Sequence, residues 1–343
     1  MREPVRATVA EMIMPSAELR EDALSQWGSQ EAHDRFLASW PCLNSIEVAQ
    51  PSEAADPASA LTVAAWNIER CKWVEPSAGV IRRAGADVVL ATEIDLGMAR
   101  SDQRHAARDL AAELGYGYIY GVEFVELGTG DPYETSKFGD IPNLHGLHGN
   151  AILSRWPLQD VALIPLDGGG AWFVRSPKGD GQYRIGTRMA MSARIETATG
   201  PLLVVSVHLE SESDEHGRAA QIETLLQQLD RLYGSLPAVI GGDLNTSCFF
   251  DGSPALDSVL SDPAAAEPCF AVVEQYGYDW RGANTGRITT RPAPWATDTR
   301  PAKVLDWLFT RGVTASDSAV HPALSEDGAY LSDHELVATR ISL

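Results

Sequence analysis

From residue 61 onward, short apolar runs alternate with polar stretches. LTVAAW (61–66), DVVLAT (87–92), GNAILS (149–154), PLLVVSV (201–207), PAVIGG (237–242), KVLDWLF (303–309) and HELVATRI (334–341) are brief and rich in Val, Ile and Leu. Runs of this kind predict β-strands in sheets with buried faces. Two stretches keep helical spacing instead. In 101–114, Ala107, Leu110, Ala111 and Leu114 share one face, with Ser101 as the N-cap. In 214–232, Ala219, Ile222, Leu225, Leu226, Leu229 and Leu232 do the same. Interleaved strands and helices predict an α/β domain. Residues 126–148 (ELGTGDPYETSKFGDIPNLHGLH) carry Gly, Pro and polar residues and predict a long loop. Loops of that size in compact domains are often functional.

The first 60 residues read differently. Residues 17–40 predict a helix with Leu19, Ala23, Leu24, Trp27, Phe36 and Leu37 as a partial apolar face. Residues 41–60 pass through Pro41, Pro51 and Pro57 among Ser and Ala, which reads as a linker. The expected organisation is an N-terminal helical extension and linker (1–60) packed on a catalytic domain (61–343). The sequence shows no internal repeat.

Composition narrows the choice. The chain has 343 residues, 44% hydrophobic and 22% charged, enough to bury a sizeable core. No apolar run approaches the ~18 residues of a membrane span. The first 22 residues lack the continuous apolar stretch of a signal peptide, so a cytoplasmic setting without a stable membrane anchor is expected. The net charge of -20 opposes tight, non-specific binding to a polyanion and disfavours nucleic acid as a partner. The cations are mostly Arg, with Lys72, Lys137, Lys178 and Lys303 as the lysines. Cys42, Cys71, Cys248 and Cys269 form no CxxC pair and read as isolated thiols.

Chemistry-bearing residues recur at strand ends, where open α/β sheets place reactive groups. Asn67 closes LTVAAWN, Glu93 closes DVVLATE, and His208 ends PLLVVSVH. Asp243 and Asn245 follow PAVIGG, Asp306 sits in VLDWLF, and Asp333 and His334 precede the last strand. A single strand-end Asp or Asn is more often a turn or cap residue. The set says more. Asn67, Glu93, Asp243, Asn245 and Asp333 offer hard oxygen ligands and amide donors, which suit Mg2+ or Mn2+ rather than structural zinc. Metal, histidine and carboxylate together are what phosphoester hydrolysis requires.

The order and wording of these motifs resemble a known family. WNIE (66–69), TE (92–93), GNAILSRWP (149–157), VVSVHLE (204–210), GGDLN (241–245), LDW (305–307) and SDH (332–334) are similar to the sequential motifs of the endonuclease/exonuclease/phosphatase superfamily. The wording is nearest to its sphingomyelinase-like and phosphodiesterase-like branches, and it spans about residues 61–343. The resemblance implies an α/β, four-layer sandwich with two central, mostly antiparallel β-sheets flanked by helices. It implies Glu93 as principal metal ligand with Asn67 beside it, and Asp333 completing the metal or water shell. Asp243 would polarise the nucleophilic water, and Asn245 would contact phosphate or metal. His334 would be oriented by Asp306, and His208 would be a second catalytic histidine. Repair endonucleases of the superfamily lack a histidine there, so His208 speaks against an abasic-site enzyme.

Other residues have weaker standing. His148 and Asn150, at the start of the GNAILS strand, and Arg188 are candidates for substrate binding, with an exposed loop, a strand start and a solvent-facing strand as the plainer readings. Arg218 and Gln221 predict a packing role. Trp172 and Phe173 beside GGG, and Trp295, could touch ligand or simply pack. The expected activity is hydrolysis of a small or lipid-derived phosphodiester. A nuclease, a sugar or inositol phosphomonoesterase and a non-catalytic binding module are the alternatives. The loops 126–148, 166–182 and 279–303 should set specificity.

Overall fold

The computed structural model describes residues 2–175, 182–296 and 300–343. Lys178, with parts of two expected specificity loops (176–181 and 297–299), lies outside the described residues. In chain order the strands are β1 (Thr8–Val9), β2 (Ile46–Ala49), β3 (Ala60–Arg70), β4 (Val88–Leu96), β5 (Gly117–Glu126), β6 (Leu147–Ser154) and β7 (Gln159–Pro165). They continue as β8 (Arg184–Gly186), β9 (Met189–Thr197), β10 (Gly200–His208), β11 (Ala238–Asp243), β12 (Asp306–Arg311), β13 (Thr314–His321) and β14 (Leu336–Ser342). The helices are α1 (Ala17–Ser25), α2 (Gln30–Ser39), α3 (Val74–Ala84), α4 (Ala106–Leu114), α5 (Pro132–Phe138), α6 (Ala171–Val174), α7 (Glu215–Tyr233) and α8 (Cys269–Gln275).

Two sheets stack face to face. One runs β1-β2-β5-β6-β4-β3-β14-β13, with β8 also pairing to β5. The other runs β12-β11-β10-β9-β7. Among the described residues, parallel pairing is confined to β1/β2, β3/β4 and β10/β11. The apolar strand runs explain the stacking. Alternate residues of the two sheets, such as Val63, Leu90 and Ile152 against Met191, Val204 and Leu308, pack into one buried layer between them. The opposite face of the large sheet packs with residues of α1 to α4. The opposite face of the small sheet packs with α7 and α8. This is the four-layer α/β sandwich that the motif resemblance implied. No helix of the described residues is long and apolar enough to cross a membrane.

Local chemistry moves several expected boundaries. The helix expected over 17–40 is two helices, because Gly28 turns the chain at φ +89 and Ser29 caps α2 by accepting from Ala32 N. The stretch 41–60 that reads as a linker contains β2, which pairs antiparallel with β5. The 101–114 helix starts at Ala106 rather than after Ser101, because Asp102 and Gln103 adopt φ +55 and +57. His105 caps α4 instead, accepting from Arg108 N at 3.3 Å.

The packing role expected of Arg218 takes a charged form. Its guanidinium, 1% exposed, donates to both oxygens of Glu267 at 3.1 and 2.7 Å and to Ser213 O at 2.6 Å. Losing one partner of a buried pair typically costs about 3–5 kcal/mol. Arg218→Ala should therefore lower the unfolding free energy by an amount of that order. Denaturant titration checks it, and an unchanged midpoint would remove Arg218 from the stabilising network.

Candidate active site

Strand register assembles the site. At the ends of the parallel strands β10 and β11, His208 pairs with Asp243, and across β11/β12 Asp243 pairs with Asp306. Three residues far apart in sequence therefore stand in one row. Gly242, at φ +150, permits this, since a Cβ there would lie 1.9 Å from Val207 O. In the other sheet Asn67 pairs with Thr92, which places Glu93 one residue beyond. The segment before β14 is tied to the same place. Ser332 Oγ donates to Asn67 O at 2.7 Å, His334 N donates to Ser332 Oγ at 3.0 Å, and Trp66 Nε1 donates to His334 O at 2.9 Å.

The side chains then meet. Asn67 Nδ2 donates to Glu93 Oε1 and to Asp243 Oδ2, both at 3.1 Å, and so joins the two sheets. His208 Nε2 lies 3.6 Å from Asp243 Oδ2, and His334 Nε2 lies 3.7 Å from the same oxygen. Asp243 Oδ1 accepts from Asn245 N at 2.8 Å, and Asn245 Nδ2 donates to Leu209 O at 3.0 Å. The backbone is strained around these groups. Glu69, Arg70, Cys71, Glu93 and Asn245 all have positive φ, between +42 and +74. Each such non-glycine residue costs about 1–3 kcal/mol and persists where the surroundings over-determine it, typically at functional sites.

The two histidines have different neighbours. His334 Nδ1 is 2.8 Å from Asp306 Oδ2. Burial disfavours charge on His334, but the Asp306 and Asp243 carboxylates overcome it and raise the imidazole well above its ordinary value. Burial also pushes the Asp306 carboxyl up to about 6, against the pull of His334. One proton serves the pair, and the surrounding negative charge places it on His334. His208 instead meets a guanidinium. Arg188 Nη1 lies 3.0 Å from His208 Nδ1 and donates to Glu123 Oε1 at 2.8 Å, and Glu123 Oε2 is 3.5 Å from His208 Nδ1. Burial disfavours the Glu123 charge, yet Arg188 and then His208 hold its carboxyl well below the usual range. Arg188 is held in turn by Glu210 at 3.3 Å and lies over the Trp172 ring at 5.0 Å.

The remaining candidates are placed less directly. Burial raises the Asp333 carboxyl, His334 opposes that, and Glu69, Arg70 and Lys72 are its other charged neighbours. His148 is neither in a loop nor exposed. Its Nδ1 is 2.7 Å from Asp95, its ring stacks on Phe124, and burial drives its pKa down to about 3. It belongs to a buried network in which Arg100 binds Asp95 and Glu134, while Arg70 bridges Glu134 and Glu93. Asn150 is buried, with Nδ2 donating to Met189 O at 3.2 Å, and among the described residues its Oδ1 has no partner. Sequence reasoning missed Glu123, Arg70 and Arg100. Their one visible signal is charge inside otherwise apolar or motif-bearing segments.

The strand-by-strand geometry agrees with comparison to known proteins. The model of the endonuclease/exonuclease/phosphatase family matches residues 64–334. The chain belongs to that family. Solved structures of the endonuclease/exonuclease/phosphatase fold share its backbone. A family protein from Beutenbergia cavernae is 20% identical, with 83% of this chain and 72% of that chain covered and a TM-score of 0.53. The human Nocturnin catalytic domain with bound sulfate is 17% identical, with 84% and 96% covered and a TM-score of 0.54. A mannosyl-6-phosphatase from Bacteroides thetaiotaomicron is 15% identical, with 82% and 100% covered and a TM-score of 0.51. At these identities the likeness concerns the fold alone. No curated protein matches the sequence. Family membership makes the chain a hydrolase of phosphoester bonds. Among its described residues, Asp243, Asp306 and His334 offer ligand atoms within 4.8 Å of one another and form one candidate metal-binding group.

Proposed function

We propose that this protein is a Mg2+- or Mn2+-dependent phosphodiesterase acting on a small or lipid-derived phosphodiester. One observation carries the reading: His208 and His334 both direct Nε2 at the same Asp243 oxygen, at 3.6 and 3.7 Å. A carboxylate between two imidazoles can take the proton of an attacking water while the flanking groups meet the phosphate and the leaving oxygen.

The residues present fit a divalent cation on the Asn67 and Glu93 side. Asn67 Nδ2 donates to Glu93 Oε1, the Asn67 amide oxygen and the Glu93 carboxylate are hard oxygen donors, and Asp333 shares the neighbour Arg70 with Glu93. Asp333, half-buried and carboxylic, gains from a nearby cation. When bound there, a divalent cation neutralises charge on the phosphoryl group. The chain's own residues supply the rest. Asp243 holds and orients the water. Cationic His334, fixed by Asp306, donates to a phosphate oxygen. Arg188 and Glu123 fix the ring of His208 so that it serves the opposite side of the phosphate.

The net charge of -20 favours a small ester over a polynucleotide. With Mg2+ or Mn2+ present, bis(p-nitrophenyl) phosphate should be hydrolysed well, p-nitrophenyl phosphate less well, and plasmid DNA poorly at physiological salt. Sphingomyelin belongs in the same screen as the lipid arm. Preferential nicking of plasmid, with steeply salt-dependent DNA binding, would show that a basic groove outweighs the total charge and would establish a nuclease. Preference for the monoester would establish a phosphatase.

A further inference from the structure

Beside the catalytic residues stands a group of aromatic rings that the reaction described above does not use. Trp295, on the loop after Arg291, stacks on Tyr133 of α5 with centroids 5.2 Å apart and planes 1° from parallel. Tyr330 meets Trp295 edge-on at 5.1 Å and Trp73 edge-on at 6.4 Å. These residues come from four separate parts of the chain, yet they share one anchor. Tyr330 OH donates to Glu69 Oε2 and Lys72 Nζ donates to Glu69 Oε1, each at 2.6 Å. Glu69 N in turn donates to Asn67 Oδ1 at 3.2 Å. The aromatic wall is thereby continuous with the Asn67 and Glu93 side of the cleft.

Burial in a core does not explain the arrangement. Trp73, Tyr133 and Trp295 remain 37%, 40% and 37% exposed. Large apolar side chains gathered at the surface mark interaction sites. The charge beside them indicates what they meet. The chain has four lysines and a net charge of -20. Two of the four lie over these rings: Lys72 Nζ is 5.4 Å from the Trp295 centroid and 5.7 Å from that of Trp73, and Lys137 Nζ is 5.8 Å from that of Tyr133. Stacked aromatic rings with cations close to their faces suit a planar ring attached to an anionic phosphoester.

We infer that Trp295 and Tyr133, with Tyr330, Trp73 and Lys72 around them, form a subsite for a planar aromatic group carried by the substrate, such as a nucleobase or an aryl ring. The inference rests on the phosphoester reading above and extends it from reaction to substrate class. The ring stacks on the exposed Trp295–Tyr133 pair while the phosphoryl group reaches Asp243, so the subsite acts on binding and selectivity rather than on the bond that breaks.

The test compares two ligands that differ by one ring, adenosine 5′-monophosphate and ribose 5-phosphate, by calorimetry on the full chain in Mg2+ buffer. Adenosine 5′-monophosphate should bind about tenfold more tightly, and Trp295→Ala should shrink the difference to within about twofold. Tyr133→Ala should act in the same direction and serves where the first variant fails to fold by circular dichroism. Equal binding of the two ligands, or a difference that survives both substitutions, overturns the subsite. Failure of both ligands to bind overturns it too. If bis(p-nitrophenyl) phosphate is still cleaved in that case, the phosphodiesterase reading stands alone, whereas absence of cleavage overturns that reading separately. Capture by phosphatidylcholine vesicles that Trp295→Ala abolishes, without any preference for the ring, would assign the rings to a membrane surface and also overturn the proposal.

Discussion

Glu93→Ala is expected to lose divalent-cation binding and about a thousandfold in turnover together, equivalent to the several kcal/mol a Lewis-acid cation supplies. Chelation of the unmodified protein should abolish hydrolysis, and Mg2+ or Mn2+ should restore it. The proposed cation has two candidate places, and the variant separates them. The Asp243/Asp306/His334 group has ligand atoms within 4.8 Å of one another. It also contains an imidazole that its carboxylate neighbours hold cationic. Like unit charges 4 Å apart repel by about 4 kcal/mol at an effective dielectric of ~20, and a divalent ion doubles this, so a second cation is disfavoured there. The Asn67/Glu93 side has no such imidazole, although Arg70 pairs with Glu93 and must share its carboxylate. Calorimetric titration of Mg2+ into Glu93→Ala and Asp306→Asn decides between the two. Loss of affinity in the first with retention in the second supports the Glu93 side. The reverse result places the cation between Asp243, Asp306 and His334. Full activity after exhaustive chelation would end the metal assignment altogether.

How much of this was legible in the sequence depends on how local each signal is. Asn67, Glu93, His208 and Asp243 each end a short apolar run; the structure puts His208 and Asp243 at strand ends, runs β3 and β4 three residues past Asn67 and Glu93, and brings all four side chains together. A polar residue closing a buried strand is a local event, so sequence reveals it. Strand β5 is not local in that sense. Glu123 and Glu126 interrupt its apolar pattern, although every residue of the strand is buried. Both carboxylates are neutralised from afar, Glu123 by Arg188 and Glu126 by Arg184. Until those partners are placed, the strand looks too polar to bury, and the group that positions His208 stays hidden within it. His148 fails for the same reason. Read alone, it is a polar residue at the edge of a long loop. In the structure Asp95 and Arg100 enclose it, and a pairing 53 residues away leaves no local trace. The extension shows the converse. Residues 41–60 carry three prolines, which favours a linker, yet Ile46–Ala49 form a strand of the sheet between β1 and β5. Tertiary pairing there outweighs local composition.

His334→Ala and His208→Ala should each lower turnover at least about a hundredfold without unfolding the protein, within the ~10²–10⁴ range of a positioned acid or base. Their combination carries more information than either alone. Both imidazoles point Nε2 at the same oxygen of Asp243, so they act on one proton-handling group rather than independently. Residues that work as a unit are strongly non-additive. The double variant should therefore lose clearly less than the product of the two single losses. The pH dependence of turnover should report on His334. Carboxylates raise the His334 pKa, so its cationic form persists above the ordinary imidazole range, and activity that needs this cation falls only as the pH rises through the raised value. Asp306→Asn removes the nearest of those carboxylates. It should lower turnover and move the basic limb of the kcat–pH profile to lower pH. Wild-type turnover by a folded His208→Ala protein would make that histidine structural and move the chain toward the repair-endonuclease pattern, which needs none there. A basic limb unmoved in Asp306→Asn would mean that His334 does not act as the cation that its surroundings impose.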